Sequence, residues 1–211
     1  MKHSTEHIKA NADKWDRRAR TYDEKRFDYF REIQKKLLSS INPTKQTRLL
    51  DLGCGTGWLV RTASELCSGE GRFVGIDASP RMIERAKSNS TANNAVEFYL
   101  GSADTLPFED NSFDVVTCTN SFHHYPKPID ALLEARRIMR QGGRIYILDV
   151  TRDNLFAGLI NRVLTMKEKE HVKFYSTREY IEMFRDAGLA HLDGNLSMYS
   201  IFKTHVGQEQ V

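Results

Sequence analysis

Leu50-Asp51-Leu52-Gly53-Cys54-Gly55-Thr56-Gly57 is the stretch that decides the fold. It begins in a short apolar run, which predicts a buried strand, and it leads into a predicted amphipathic helix that carries Trp58, Leu59, Ala63 and Leu66. Glycine permits tight turns and lets backbone come close to a ligand. Because open parallel sheets bind ligands at the carboxyl ends of their strands, three alternate glycines at this point predict a binding loop rather than a plain turn.

The residues around these glycines indicate which kind of ligand the loop binds. A dinucleotide fingerprint, G-x-G-x-x-G, would have a third glycine where this chain has Trp58. An indole there would crowd the close packing of helix on strand. Asp51, just before the glycines, would repel a pyrophosphate but could accept a hydrogen bond from an ammonium group. The loop therefore suits a ligand with an amino acid tail better than one with phosphates.

Strands and helices alternate after Pro43, which ends the first helical region because the residue before a proline avoids helical geometry. The strands are predicted at residues 48–52, 72–77, 96–100, 113–118 and 144–150. Ser79-Pro80 is typical of a helix start, with serine as N-cap and proline in the first turn. This alternation predicts a parallel sheet with helices on both faces.

The other helices and the last strands are predicted from periodicity. Residues 5–40 are predicted to be helical throughout, and residues 153–169 are helical in pattern. The helix that opens at Pro128 is expected to end at Gly142-Gly143 and to bury Ile129, Leu132, Leu133, Ile138 and Met139. A late helix, 177–187, is expected to bury Tyr180, Ile181, Phe184 and Ala187, before strands near 190–196 and 198–205.

Two further acidic residues follow strands at the same predicted edge of the sheet. Asp77 ends the second strand, where a carboxylate can accept both hydroxyls of a ribose. The alternative, that Asp77 caps the next helix, is weaker because Ser79 fills that role. Asp104 follows the third strand, where it could accept the exocyclic amine of an adenine beside the backbone of Ala103; an ordinary loop aspartate is the alternative.

With these motifs in place, the chain resembles the class I S-adenosylmethionine (SAM)-dependent methyltransferases, in a subgroup similar to the ubiquinone/menaquinone biosynthesis methyltransferases. The motifs that carry the resemblance occur in family order within residues 48–150, with a weaker match at 176–188; they are 49–57, 75–82 (Gly-Ile-Asp-Ala-Ser-Pro-Arg-Met), 103–108 (Ala-Asp-Thr-Leu-Pro-Phe), 111–116 (Asn-Ser-Phe-Asp-Val-Val) and 133–143. The resemblance implies an α/β, Rossmann-like class I fold: a mostly parallel seven-stranded sheet, helices on both faces and an N-terminal helical lid. It also implies one domain over 1–211, divided into the lid (1–46), the SAM-binding core (47–150) and a variable segment with the late helix and final strands (151–211).

The resemblance also implies roles for individual residues toward SAM and its product S-adenosylhomocysteine. The residues expected to hold the methionine part are Asp51, Gly53, Gly55 and Gly57. Those expected at the ribose and adenine are Asp77, Ala78, Met82, Ala103 and Asp104. Asn120 is expected to face the methionyl and sulfonium region. Tyr22 resembles a tyrosine that closes over the cofactor, and Trp15 is a second lid candidate, although a helix-face aromatic is more often core.

The chemistry of methyl transfer needs a base only if the acceptor must lose a proton. The candidates are His123 and His124. Because adjacent side chains on an extended or turning backbone point in different directions, we expect only one of the two to face the pocket. The alternative is that His124 merely caps or packs the following turn. His171 and Tyr175 are further candidates on the acceptor side, in a segment, 151–175, whose many lysines and glutamates favour a small soluble acceptor over a quinone.

Composition limits the other possibilities. The 211 residues fit one domain, and a net charge of +3 without a basic stripe gives no sign of a nucleic-acid surface. Three cysteines, with none at C-x-x-C spacing, argue against disulfides and a metal site, and favour the cytoplasm. No signal peptide or membrane-spanning run is evident. We expect a monomer or homodimer acting on a small molecule.

Three rival hypotheses remain. One is a non-catalytic SAM-binding regulator or partner subunit, and another is a nicotinamide-dependent oxidoreductase. The third is an RNA methyltransferase, although the sequence has no basic stripe to support it.

Overall fold

The structure is a computed structural model that describes residues 9–10, 12–17, 19, 28–91, 96–153, 162, 173–192, 197–198 and 202–209. Tyr22 and His171 lie outside the described residues, as does most of the helix predicted over 153–169. Within the described part, no helix is both long and apolar enough to cross a membrane.

The helices and strands alternate along the core of the chain. In chain order they are α1 (Asp28–Ile41), β1 (Arg48–Leu52), α2 (Trp58–Leu66), β2 (Arg72–Asp77), α3 (Pro80–Ser88), β3 (Val96–Leu100), β4 (Phe113–Thr119), a short 3-10 helix (Phe122–His124), α4 (Pro128–Ile138), β5 (Met139–Val150), α5 (Thr177–Asp186), β6 (Leu189–Leu192), β7 (Ser197–Met198) and β8 (Phe202–Glu209).

The strands form one sheet in the order β3-β2-β1-β4-β5-β8-β6, with the two-residue β7 beside β8. The first five strands in this order pair in parallel, whereas β8 runs antiparallel to β5, β6 and β7. The order reverses between β1 and β4, which is the switch point at which such sheets bind ligands. The predicted Rossmann-like fold is confirmed: the mostly parallel sheet has seven strands in its main order, and the short β7 adds an eighth at β8.

Helices cover both faces of the sheet because neighbouring residues of each buried strand point to opposite sides. Leu50 of β1 packs in a cluster with α4 and α5, whereas Leu49 packs in a second cluster with α1 and α2. The strands are therefore buried on both faces, as their nearly continuous apolar sequences require.

The predicted helix start at Ser79-Pro80 is confirmed. The Ser79 side chain accepts a hydrogen bond from the backbone N–H of Met82, and Pro80 occupies the first turn of α3, where its missing N–H is not needed.

The predicted end of the Pro128 helix at Gly142-Gly143 is wrong. Helix α4 ends at Ile138, and the glycines lie inside β5, beside a register shift opposite Phe113 and Val115. A Cβ at Gly143 would lie 2.8 Å from the carbonyl oxygen of Arg140, so glycine there serves a bulge rather than a helix end.

Three residues expected in the core are exposed instead: Ile129 and Leu133 of α4 and Ile181 of α5. The buried face of α4 is formed by Ala131, Leu132, Ala135 and Ile138. The two alanines are small, so they let the helix lie close to the sheet. The N-terminal region is also not one helix, because Ala19 lies in a turn between helical residues 12–17 and α1. The last strand runs over 202–209, later than predicted.

Candidate functional site

A cleft of about 850 Å³, counted to its open mouth, lies at the carboxyl ends of the parallel strands. It extends from the end of β2 to the loop after β4, and helical residues near the N-terminus border it. Its lining residues are Ala12, Trp15, Gly53, Gly55, Ile76, Asp77, Ala78, Ser79, Met82, Gly101, Ser102, Ala103, Asp104, Thr119, Asn120, Ser121, His124, Tyr125, Pro126, Lys127 and Ala131.

One end of the cleft is built around Asp77. Its Oδ2 accepts a hydrogen bond from the backbone N–H of Gly55 at 2.9 Å, and its Oδ1 accepts one from the backbone N–H of Ser79 at 2.8 Å. Desolvation raises the pKa of this carboxyl, against the lowering effect of these backbone donors. The side chain thus joins the glycine loop to the start of α3 as well as facing the cleft.

The residues predicted to meet an adenine share this end of the cleft. Ala78, Met82, Ala103 and Asp104 all line it. An Oδ2 atom of Asp104 lies 3.6 Å from Nζ of Lys127, and the Asp104 side chain is 14% exposed. A carboxylate at this depth can accept a hydrogen bond from an amine, which is the role that the sequence predicted for it.

The glycine loop contributes two of its three glycines to the cleft. Gly53 and Gly55 line it, whereas Gly57 lies against the ring of Phe98, which a Cβ on Gly57 would meet at 2.5 Å. Gly57 therefore allows the helix to pack on the sheet. A Cβ on Gly53 would lie 2.0 Å from Oγ of Ser121, so the loop approaches the end of β4 too closely for any side chain.

Asp51 lies beneath the loop rather than on the cleft wall. It is buried, and its Oδ1 accepts a hydrogen bond from the Thr117 hydroxyl at 2.7 Å. Desolvation raises the pKa of Asp51 to about 7; the nearby Asp77 carboxyl adds to the rise, and the Thr117 hydrogen bond opposes it. The side chain therefore titrates near neutral pH in this structure.

The loop after β4 forms the other end of the cleft. Asn120 has a positive φ of 52°, and its backbone N–H donates to the carbonyl of Leu148 at 2.9 Å. The hydroxyl of Tyr125 lies 3.3 Å from Oγ of Ser121 and 3.5 Å from Sγ of Cys118. Burial raises the pKa of Tyr125 well above its usual value.

Several of these residues were not among the sequence candidates. Ser121 and Tyr125 belong to the segment Asn120–Tyr125 that drew attention to the histidines, so their position after β4 was a usable signal. Thr119 lines the cleft and accepts a hydrogen bond from Nε2 of Gln34 in α1 at 2.7 Å. No sequence pattern linked Gln34 to that strand.

The two adjacent histidines have different surroundings. His124 is buried, lines the cleft and meets Trp15 edge-on, with ring centroids 5.6 Å apart. The Nδ1 atom of His123 lies 2.7 Å from Oδ1 of Asp149, and its ring packs against that of Phe174. Tyr175, also a candidate, is buried against Phe122 and Tyr180, and burial raises its pKa to about 12.

The N-terminal residues reach the cleft through Trp15 and Asp16. Trp15 and Ala12 line it, and an oxygen of Asp16 accepts hydrogen bonds from the hydroxyl of Ser79 and, at 3.1 Å, from the backbone N–H of Arg81. A carboxylate is favourable here because the first backbone N–H groups of a helix lack partners within it. This contact attaches the N-terminal helical residues to the start of α3.

No group of three or more His, Cys, Asp or Glu side chains suitable for a metal ion occurs among the residues that the structure describes. Cys54, Cys67 and Cys118 are all buried and free.

Comparison with protein families finds a methyltransferase domain over residues 50–147. Among curated proteins, YcgJ of Bacillus subtilis, described as an uncharacterized methyltransferase, is 32% identical over 150 residues, which is 69% of this chain and 58% of YcgJ. The demethylmenaquinone methyltransferase of Staphylococcus epidermidis is 31% identical over 129 residues, which is 61% of this chain and 54% of that protein. The chain thus spans a little over half the length of these two relatives.

Solved structures share the fold at lower identity. The complex of the Haloferax volcanii Trm112 methyltransferase activator with a candidate methyltransferase contains a chain that matches with a TM-score of 0.79 and 23% identity, over 93% of this chain and 98% of that one. A SAM-dependent methyltransferase from Aquifex aeolicus matches with a TM-score of 0.67 and 20% identity, over 82% of this chain and 88% of that one. Residues 50–147 therefore match a methyltransferase domain, and the chain shares the Rossmann-like fold of these solved structures.

Proposed function

We propose that the chain binds SAM in this cleft and transfers its methyl group to a small-molecule acceptor. The observation that carries the proposal is the convergence of Asp77, Asp104 and the Gly53–Gly55 turn on one cleft. Two carboxylates at the ends of neighbouring strands suit a ribose and an adenine amine. A turn too tight for a side chain suits a ligand held by backbone.

The residues present fit the cofactor part by part. Asp77 would accept the ribose hydroxyls, and Asp104 with the backbone of Ala103 would accept the adenine amine. Ala78 and Met82 would pack beside the base. The backbone of Gly53 and Gly55 would lie along the methionine part, where a Cβ on Gly53 would leave no room beside Ser121. Asp51 would act from beneath the loop, and Asn120 would face the sulfonium.

The reaction is a displacement in line with the bond that breaks. When bound, SAM supplies a methyl group on a positively charged sulfur, which becomes neutral as the methyl leaves. The protein's main contribution is to align the acceptor with that methyl, which can lower the barrier by about 7–11 kcal/mol. The walls formed by Trp15, His124 and Tyr125 would exclude water from the reacting atoms. The lid formed by residues 1–46, including Tyr22, stays a prediction.

The acceptor is proposed to be small. The charged residues of segment 151–175 favour a soluble metabolite over a quinone, although one relative is a demethylmenaquinone methyltransferase. Three buried thiols are compatible with a reducing cytoplasm. A monomer or homodimer without nucleic acid is the assembly we propose.

Thermal unfolding with added ligands tests the cofactor assignment. SAM or S-adenosylhomocysteine at about 100 times its dissociation constant should stabilise the protein by about 2.7 kcal/mol. At this size the midpoint should rise by roughly 5–10 °C. A rise with NAD or NADP and not with the adenosyl ligands would overturn the proposal and favour an oxidoreductase. If no ligand raises the midpoint, extraction and mass analysis of the purified protein would decide whether SAM is already bound.

A non-catalytic SAM-binding protein is the second candidate, because the same cofactor residues would serve it. It predicts the same thermal shift without production of S-adenosylhomocysteine across a broad panel of acceptors. Release of labelled S-adenosylhomocysteine with any acceptor would exclude it.

A further inference from the structure

The backbone N–H groups at the start of the glycine loop already have acceptors within the protein. Those of Gly53 and Cys54 both donate to the carbonyl of Ile76, at 2.8 and 3.0 Å. The N–H of Gly55 donates to the Asp77 carboxylate at 2.9 Å. Many phosphate-binding loops hold their anion with successive backbone N–H groups. The three N–H groups of this loop are therefore not available to the carboxylate of an amino acid tail.

The positive charge on the cleft wall lies toward the adenine end. Lys127 is the one lysine or arginine among the described residues that line the cleft. Its Nζ lies 3.6 Å from Oδ2 of Asp104 and 3.6 Å from Oδ2 of Asp130. A carboxylate that leaves water needs hydrogen bonds to replace those it loses. Beside Gly53, the described donors for it are the polar side chains that follow β4.

Two hydroxyls in the loop after β4 border Gly53. Ser121 and Tyr125 both line the cleft. A Cβ built on Gly53 would lie 2.0 Å from Oγ of Ser121 and 3.2 Å from the hydroxyl oxygen of Tyr125. Although Ser121 precedes the 3-10 helix, its side chain makes no capping hydrogen bond to that helix among the described residues. Both hydroxyls therefore lie beside the part of the loop along which we propose that the methionine part lies.

This pair of hydroxyls has a hydrogen to donate. The Tyr125 oxygen lies 3.3 Å from Oγ of Ser121 and 3.5 Å from Sγ of Cys118. These three groups carry three hydrogens and make two contacts with one another, so at least one hydrogen has no acceptor within the group. The backbone N–H of Phe122 donates to the Cys118 sulfur, which adds a donor and no acceptor. Because burial raises the pKa of Tyr125 well above its usual value, its hydroxyl keeps its hydrogen at neutral pH.

We propose that Tyr125 and Ser121 bind the carboxylate of the cofactor's methionine part, with the Tyr125 hydroxyl as a donor. This inference rests on the proposed methyltransferase function and names the residues that select a ligand with an amino acid tail. The Tyr125 ring is held in place by its packing against Phe122, with ring centroids 5.5 Å apart. By holding the tail, the two hydroxyls would orient the sulfur that carries the methyl group.

Calorimetric titration with three ligands tests the assignment. They are S-adenosylhomocysteine, its decarboxylated form, and methylthioadenosine, which lacks the whole amino acid tail. Tyr125→Phe should weaken binding of S-adenosylhomocysteine by about 10-fold, because a hydrogen bond to a charged group is lost. Binding of the other two ligands should change less than about twofold. Equal weakening of all three would show that Tyr125 only shapes the cleft, and unchanged binding of S-adenosylhomocysteine would also overturn the proposal.

Ser121→Ala is the second variant, and it decides if Tyr125→Phe does not fold. It should weaken binding of S-adenosylhomocysteine by about 3-fold or more and leave methylthioadenosine unaffected. Wild-type affinity for S-adenosylhomocysteine in a folded Ser121→Ala would remove Ser121 from the site.

Tyr99→Phe is the matched control. The Tyr99 hydroxyl donates to Glu97 at 2.8 Å, and both residues lie on β3, outside the described lining of the cleft. We expect Tyr99→Phe to bind all three ligands as the wild type does. If the wild type binds none of them, the proposed function itself is refuted. If it binds the decarboxylated form as tightly as S-adenosylhomocysteine, only the carboxylate assignment is overturned.

Discussion

Asp77 and Gly55 are joined across two strands by a hydrogen bond of 2.9 Å from the glycine N–H to the carboxylate. The contact fixes the glycine loop after β1 against the end of β2. The same carboxylate is the group proposed to hold the ribose. A change at Asp77 should therefore disturb both the ligand contact and the shape of the loop that lies beside it.

Asp77→Asn should weaken binding of S-adenosylhomocysteine by about 10- to 100-fold, because a hydrogen bond to a charged group contributes about 1.5–3 kcal/mol. Isothermal calorimetry measures the change. Asp110→Asn is the control, since the Asp110 carboxylate pairs with Arg137 at 2.7 Å outside the cleft. Equal effects of the two substitutions would contradict the ribose assignment.

Gly53→Ala should abolish cofactor binding, because the new Cβ would lie 2.0 Å from Oγ of Ser121 and the residue needs a φ of +66°. Gly142→Ala is a matched comparison: its φ is +80°, but a Cβ there meets nothing within 4 Å. We expect Gly142→Ala to cost only about 1 kcal/mol of backbone strain and to bind S-adenosylhomocysteine normally. The calorimetric titration and the unfolding midpoint would be compared for both proteins.

Asp51 should make the stability of the ligand-free protein fall as pH rises toward neutrality. Its pKa in the folded protein is raised to about 7, above the unfolded value near 4, so the folded state binds more protons between these values. The contribution that Asp51 makes to the free energy of unfolding is therefore complete below about pH 4, and it is lost as the pH rises through about 7. In urea unfolding, Asp51→Asn should reduce this slope relative to the wild type. An unchanged slope would mean that Asp51 is ionised throughout.

Asp16→Ala should speed the release of S-adenosylhomocysteine by about 3- to 10-fold, since it removes hydrogen bonds worth about 1 kcal/mol that attach the N-terminal helical residues to α3. Stopped-flow tryptophan fluorescence can follow the release, because Trp15 borders the cleft. Asp13→Ala changes an exposed carboxylate on the same helical stretch and serves as control. Release at the wild-type rate in Asp16→Ala would show that this contact does not retain the ligand.

Glu179→Gln should lower the unfolding midpoint by about 2–4 °C, because it disrupts the capping box at the start of α5, which contributes roughly 1 kcal/mol. Although burial opposes the shift, hydrogen bonds from Arg152, Lys173 and Ser176 lower the pKa of Glu179 to about 2. Its contribution is therefore present above about pH 4 and is lost as pH falls through about 2. Glu182→Gln, on the same helix but paired only with Arg178 among the described contacts, should change the midpoint by less than about 1 °C.

The fold could be predicted to a large extent because its signals are local. The strand-loop-helix pattern around Gly53 and the serine cap at Ser79 each depend on a few consecutive residues. Which residues of α4 are buried was harder to predict. Ile129 and Leu133 follow a helical period, yet Ala131 and Ala135 are the buried residues and Ile129 and Leu133 are exposed. Hydrophobicity alone does not show that small residues let a helix pack closer to the sheet.

The sequence by itself determined the order of strands and helices, the glycine loop and the carboxylates that follow the strands, since backbone conformation and apolar periodicity are properties of neighbouring residues. Only the tertiary structure decided which side chains meet. Asp149 lies 26 residues from His123, and Asp16 lies 63 residues from Ser79. The first pair forms because the parallel strands β4 and β5 end at the same edge of the sheet. The second forms because the N-terminal helical residues pack against the start of α3. The direction of each side chain there depends on packing between elements, which no short stretch of sequence encodes.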